Sequence, residues 1–169
     1  MTGPEGDAFE GNWILGARCD GTARKTYADG RVYTGQFVRG LENGRGSLKY
    51  TEGDVLDEYT GFWIHGLQHG PGSLREKDGN TYSGNFFFGG RTGSGVYTRA
   101  DSTTHDGLWM GKEQNGPGTF TDAQSNVLKG NWKDGKETDG VATMAYTNGD
   151  VYQGHFQQQD GGAYVRSGR

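Results

Sequence analysis

The side chains through which this sequence could do chemistry are few. His65, His69, His105 and His155 are the four histidines, and Cys19 is the single cysteine. His65 and His69 stand four apart, a spacing that ligates zinc when both lie on one face of a helix. Here they lie across a predicted turn, and no cysteine pair or carboxylate completes a zinc set. Ser73 and Ser94 sit in glycine-flanked segments with no His-Asp arrangement beside them, so a nucleophile would lack its base. Gly93-Ser94-Gly95 precedes no helix, which excludes a phosphate loop. No catalytic residues, metal or cofactor are expected. Glu52, Asp54, Asp57 and Glu58 cluster in one connection. They read as a solvated loop or as a dock for a basic partner, and they disfavour an anionic membrane, which recruits Lys and Arg clusters.

The residues that position such groups are the glycines and the rings. Of 169 residues, 33 are glycine and only 3 proline, with 4 Trp, 9 Tyr and 8 Phe. Glycine without proline is not collagen, and a chain this rich in rings is not a disordered linker. The net charge of −4 argues against nucleic acid as a partner. One cysteine allows no internal disulfide and fits a reducing compartment. There is no apolar run of about 20 residues to span a membrane. The N-terminus lacks a signal-peptide pattern. The expectation is a cytoplasmic chain.

Self-similarity organises it. Related five-residue stretches start at Phe9, Tyr33, Tyr59, Tyr82, His105, Leu128 and Tyr152, so the steps are 24, 26, 23, 23, 23 and 24 residues. Each keeps glycine third and Trp or Phe fifth. The signature residues are Tyr33, Gly35 and Phe37; Tyr59, Gly61 and Trp63; Tyr82, Gly84 and Phe86; then Trp109, Trp132, Tyr152 and Phe156. Glycine pairs recur further on, at Gly44 and Gly46, Gly70 and Gly72, Gly93 and Gly95, and Gly116 and Gly118. Asp29-Gly30, Asp78-Gly79 and Asn148-Gly149 mark tight hairpin turns. No helical period is sustained.

Each copy is thus a strand, a glycine turn, a second strand and an Asp-Gly type turn. Alternate residues share a face, so Tyr59, Gly61 and Trp63 point one way and Thr60 and Phe62 the other. A glycine between two rings leaves room for rings to lie across the strand. Leu48, Leu74, Tyr97, Phe120 and Met144 join the ring-bearing face, while Glu10, Thr34, Thr60, Ser83, Asp106, Lys129 and Gln153 form a polar one. This predicts an all-β, elongated, single-layer antiparallel meander, with the ring-bearing face curled into a groove. One repeat cannot stand alone, so neighbours must complete one another. Residues 1–8 are an N-terminal extension and 9–169 one array, whose seventh copy is partial or a cap.

Tyr59 through Gly72 resemble the MORN repeat, the "membrane occupation and recognition nexus". The resemblance extends over roughly Phe9 to Tyr164. His105 and Leu128 depart from it at the leading aromatic, and Lys112 at a turn glycine. The resemblance implies a non-catalytic module of cytoskeletal scaffolds, radial-spoke proteins and junctophilins, or one accompanying catalytic domains for which this chain has no room.

The expected function is therefore a protein-binding scaffold of a cytoskeletal, ciliary or flagellar assembly. The alternatives are a peripheral membrane or phosphoinositide adaptor and a regulatory module of an enzyme. A stripe of Tyr27, Tyr50, Glu76, Arg99, Asp122 and Tyr146 changes from rings to charges in its middle, which suggests a groove receiving a protein segment. An unpaired terminal edge offers a competing route to a partner or to a homodimer. The sixth positions Ile14, Val38, Ile64, Phe87 and Met110, with Phe62 and Leu108, suggest an apolar patch on the polar face.

Overall fold

The computed structural model describes residues 7–11, 13–14, 17–18, 21–138, 141–158 and 164–167. Among them there is no helix. Backbone contacts divide the chain into two units, Met1–Gly89 and Gly90–Arg169.

In the first unit the strands are β1 (Ala8–Glu10), β2 (Trp13–Ile14), β3 (Ala17–Arg18), β4 (Gly21–Thr26), β5 (Val32–Val38), β6 (Leu41–Lys49), β7 (Leu56–Ile64), β8 (Leu67–Glu76) and β9 (Thr81–Phe87). β2 and β3 pair only with each other; the rest run in the order β1-β4-β5-β6-β7-β8-β9. Every pairing is antiparallel. The second unit holds β10 (Gly90–Thr98), β11 (Thr104–Met110), β12 (Glu113–Thr121), β13 (Val127–Lys133), β14 (Lys136–Glu137), β15 (Ala142–Ala145), β16 (Val151–Gly154), β17 (Phe156–Gln158) and β18 (Tyr164–Arg166). Its path is β10-β11-β12-β13-β15-β16, with β14 on β13 and a separate β17-β18 hairpin. Each unit is an antiparallel meander, as the short turns between successive strands dictate.

Register arranges the side chains in rows. Tyr33, Leu48, Tyr59, Leu74 and Tyr82 stand side by side on successive strands, and Gly35, Gly46, Gly61, Gly72 and Gly84 form the adjoining row. The opposite face carries Thr34, Ser47, Thr60, Ser73 and Ser83 in register. In the second unit the ring-side row is His105, Phe120, Leu128, Met144 and Tyr152.

The glycine row is a floor for rings. A Cβ on Gly61 would lie 2.7 Å from Tyr59 Cζ and 2.7 Å from Gly72 Cα. The rings of Tyr33 and Tyr59 therefore rest where side chains on Gly35, Gly46, Gly61 and Gly72 would otherwise stand. On that floor the first unit builds an unbroken ladder: Phe9–Phe37, Phe37–Tyr33, Tyr33–Trp63, Trp63–Tyr59, Tyr59–Phe86 and Phe86–Tyr82, with centroids 4.8, 5.1, 5.1, 5.2, 4.9 and 5.3 Å apart, all edge-on. Edge-on pairs add about 0.5–1.5 kcal/mol beyond area burial.

The ladder also explains why tyrosine leads each regular copy. The pairing slips between Gly35 and Phe37 and between Gly61 and Trp63. Such a bulge leaves a carbonyl without its ladder partner. Tyr33 Oη donates to Gln36 O at 3.0 Å, Tyr59 Oη to Phe62 O at 3.1 Å and Tyr82 Oη to Asn85 O at 3.3 Å. Phenylalanine would leave those carbonyls unbonded by the ring.

Candidate functional site

The six residues of the stripe occupy equivalent places, at the end of the second strand of each copy. The amides of Tyr27, Glu76, Arg99, Asp122 and Tyr146 donate to the carbonyls of Arg31, Asn80, Thr103, Asn126 and Asp150, at 2.8–3.0 Å. Tyr50 heads a longer connection and donates to Asp57 O at 2.9 Å. These residues thus open the turns that close each hairpin pair. All six are half-buried.

In the first unit their polar ends reach across the sheet. Tyr27 Oη donates to Glu42 Oε1 at 2.7 Å, and Lys25 Nζ lies 3.3 Å from both Glu42 and Asp7. Glu42 is 4 % exposed, so its charge is held by this tyrosine and lysine rather than by water. Burial, and then Glu42, raise the Tyr27 pKa well above the ordinary phenol value and keep the hydroxyl protonated. Tyr50 Oη accepts from Gln68 Nε2 at 3.0 Å. Glu76 accepts from Asn80 Nδ2 at 3.3 Å.

In the second unit the charges answer local needs. Asp122 accepts from the amides of Gln124 and Asn126 at 2.9 and 2.8 Å and from Asn126 Nδ2 at 2.8 Å, capping its own turn. Arg99 donates to Thr103 Oγ1 at 3.2 Å and lies 3.0 Å from His105 Nε2. An arginine only donates, so Nε2 accepts and Nδ1 carries the proton toward Gln114 Oε1, 3.0 Å away. His105 is therefore neutral. Burial depresses its pKa to about 4, with Arg99 adding to the effect and Gln114 opposing it. His105 packs its ring on Phe120 at 4.8 Å and fills the tyrosine position of its copy.

Leu128, the other departure, is compensated from far along the chain. Tyr164 on β18 lies 4.9 Å from Phe120 and 6.5 Å from Trp132, ring to ring. Its Oη accepts from Trp132 Nε1 at 2.9 Å. In other copies that indole donates to a row glycine instead: Trp63 to Gly46 O at 3.1 Å and Trp109 to Gly95 O at 2.7 Å. Arg166 lies over the rings of Tyr146 and Tyr152 at 5.4 and 4.2 Å. The β17-β18 hairpin thus covers part of the ring face in this unit.

The concavity of the second unit opens on the other face. Ser94, Asp106, Leu108, Pro117, Thr119 and Lys129 line an open hollow of about 510 Å³. Ser94 and Asp106 share this hollow without a histidine. Among the described residues, no three of His, Cys, Asp or Glu come together as a metal-holding group. His65 sits at a hairpin tip, His69 packs against Phe87 and Phe88, and His155 lies between β16 and β17. The apolar sixth positions Val38, Phe87 and Met110 are exposed, as are Phe62 and Leu108. The side chain of Ile14 and all of Cys19 lie outside the described residues.

The sequence profile described as the MORN repeat matches residues 33–55, 59–81, 82–104 and 105–127, four segments that together make up more than half of the chain. The chain belongs to the MORN-repeat family. The four matched segments begin where the sequence periodicity places the second to fifth copies. The MORN strand pattern also continues beyond them, through Leu128, Gly130 and Trp132 on β13. No curated protein sequence matches the chain. Among solved structures, the TCP domain of SAS-4 (dCPAP) of Drosophila melanogaster, in complex with a proline-rich motif of Ana2 (dSTIL), aligns with TM-score 0.45 and 12 % identity over 95 % of this chain and 95 % of that one. At that distance the likeness carries nothing about function. No helix among the described residues is long and apolar enough to cross a membrane.

Proposed function

We propose that this MORN-repeat chain is a non-catalytic scaffold that binds other proteins in a cytoskeletal, ciliary or flagellar assembly of the cytoplasm. The observation that carries the reading is how the large side chains are used. The rings pack against one another in a ladder, while the opposite face offers hydroxyl rows and exposed apolar residues rather than a converging set of reactive groups. Such a surface suits recognition by area and shape. The stripe of Tyr27, Tyr50 and Glu76 in one unit and Arg99, Asp122 and Tyr146 in the other is one candidate contact for a protein segment. The outer edge of β16, which also offers a route to a homodimer, is another.

Affinity capture with short-range crosslinking from a lysate of ciliated cells tests the reading, run beside sedimentation with phosphoinositide-containing vesicles. The expected result is a reproducible protein crosslinked to this chain and no sedimentation. Sedimentation with vesicles and no reproducible protein partner favours the membrane adaptor instead.

A further inference from the structure

The glycine turns of the first unit carry a feature the repeat pattern does not require. Each described tip is a two-residue turn with both φ angles positive: Arg39 and Gly40 at 51° and 79°, His65 and Gly66 at 49° and 82°, Phe88 and Gly89 at 44° and 87°. These are the angles of a type I′ hairpin, whose first position suits Asn, Asp or Gly. One tip in the second unit obeys, with Asp134 at 51° before Gly135. The three described tips of the first unit instead hold Arg39, His65 and Phe88 in the left-handed region, which a histidine adopts more readily but which is unfavourable for arginine and phenylalanine. Backbone strain of this kind clusters at functional sites.

The tips also stand in a row. Gly66 N donates to Glu42 O and Gly89 N to Gln68 O, both at 2.9 Å, so these two tips are each fastened to the strand before their hairpin. Two strands separate neighbouring tips, a spacing of about 10 Å. Around them Val38, Leu41, Phe62, Leu67, Phe87 and Phe88 are 37–58 % exposed. Phe87 and Phe88 touch each other and His69, with centroids 4.6–5.4 Å apart, and Arg45 lies 5.1 Å over the Phe62 ring.

Among the described residues, the exposed charge on this strip has one sign. Residues 36–45, 62–69 and 85–89 include Arg39 and Arg45, both exposed, and a single carboxylate, Glu42, which is buried on the ring face. The carboxylates Asp29, Glu52, Asp54, Asp57, Glu58 and Asp78 all lie at or near the opposite ends of the strands. Two arginines are too few to recruit an anionic membrane, which takes clusters of about four to eight.

We propose that the tips of the first unit, with Arg39, Arg45 and Phe88 at their centre, dock an acidic segment of another protein through apolar side chains about 10 Å apart. That distance is about three residues of extended chain or two turns of helix. The proposal rests on the scaffold reading and gives its partner a chemistry. The outward arginines meet the carboxylates and steer the approach, while Phe88 and Phe87 supply the buried anchor.

The test uses the full chain and fluorescein-labelled synthetic peptides. One set carries Asp and Glu between Leu or Phe anchors at both spacings, one has Lys in place of the acids, and one keeps the acids without anchors. Phe88→Asn and Arg39→Asn place at each tip the residue the turn prefers, so neither is expected to lower Tm. The expected result is anisotropy binding by the acidic, anchored peptides alone. Each variant should weaken it about tenfold or more, with the Arg39→Asn loss shrinking as salt rises. The proposal is overturned if no acidic peptide binds more tightly than about 100 µM, or if Lys peptides or phosphatidylserine vesicles bind as well. Unchanged affinity in both variants also overturns it, as does a lower Tm, which would make these side chains structural. A protein captured and crosslinked away from the tips would leave the scaffold reading standing while these tests fail.

Discussion

Gly61→Val is expected to unfold the first unit at a temperature at least about 6 °C lower than the parent, while Thr60→Val leaves it nearly unchanged. The two positions are adjacent on β7 and differ only in face. Gly61 lies in the floor beneath Tyr59, and a Cβ there would stand 2.7 Å from Gly72 Cα, a backbone atom that cannot step aside without moving β8. Tyr59 would have to lift, which breaks its contacts with Trp63 and Phe86 and its bond to Phe62 O. Overpacking alone costs about 1–3 kcal/mol, and loss of the ring contacts takes the total to about 3 kcal/mol or more. Thr60 stands on the outer face between Ser47 and Ser73, exposed, where a β-branched valine suits the strand. Thermal melts of the two variants decide it, and equal losses would mean that the faces are assigned wrongly.

Tyr164→Ala is expected to destabilise the second unit by about 3–5 kcal/mol. The ring is 8 % exposed, in one cluster with Phe120, Leu128, Trp132, Ala142, Met144 and Phe156. Its removal opens a cavity in that cluster and strands the Trp132 indole N–H, which donates to Tyr164 Oη rather than to a row glycine. Tyr164→Phe keeps the ring and loses only the acceptor, at a cost of about 1–3 kcal/mol for the orphaned donor. Denaturant unfolding should rank parent, Phe variant and Ala variant in that order. If the Ala variant matches the parent, the β17-β18 hairpin is no part of the second unit's core.

The contrast between these two sites shows what could be read from the chain. The floor at Gly61 was legible, because strand alternation puts Tyr59, Gly61 and Trp63 on one face and the period repeats the pattern in every copy. The meander and its polar face followed from the same two periods. Tyr164 was not legible as the ring that serves Leu128, since it stands in β18, beyond the last regular copy, and no local pattern links the two. The stripe illustrates a different limit. Its change from tyrosine to charge is visible in sequence, but the partners that occupy those groups are not. Tyr27 reaches Glu42 and Tyr50 reaches Gln68 across the sheet, while Arg99 serves a histidine that replaced a ring. The tips were legible as glycine turns. That the residue before each glycine is also left-handed emerges only from the backbone, and with it the contrast between Arg39, His65 and Phe88 and the obliging Asp134.

The central claim is that the rings of the first unit are buried against one another in an internal ladder. Hydroxyl-radical footprinting read by mass spectrometry addresses it directly, because rings react with the radical in proportion to their exposure. Tyr33, Tyr59 and Tyr82 are at most 1 % exposed, whereas Phe87, Phe88 and Met110 are 54–66 % exposed. The account predicts slow modification of the three tyrosines and fast modification of the other three residues in the free chain. Modification of Tyr33, Tyr59 and Tyr82 as fast as that of Phe88 would contradict it.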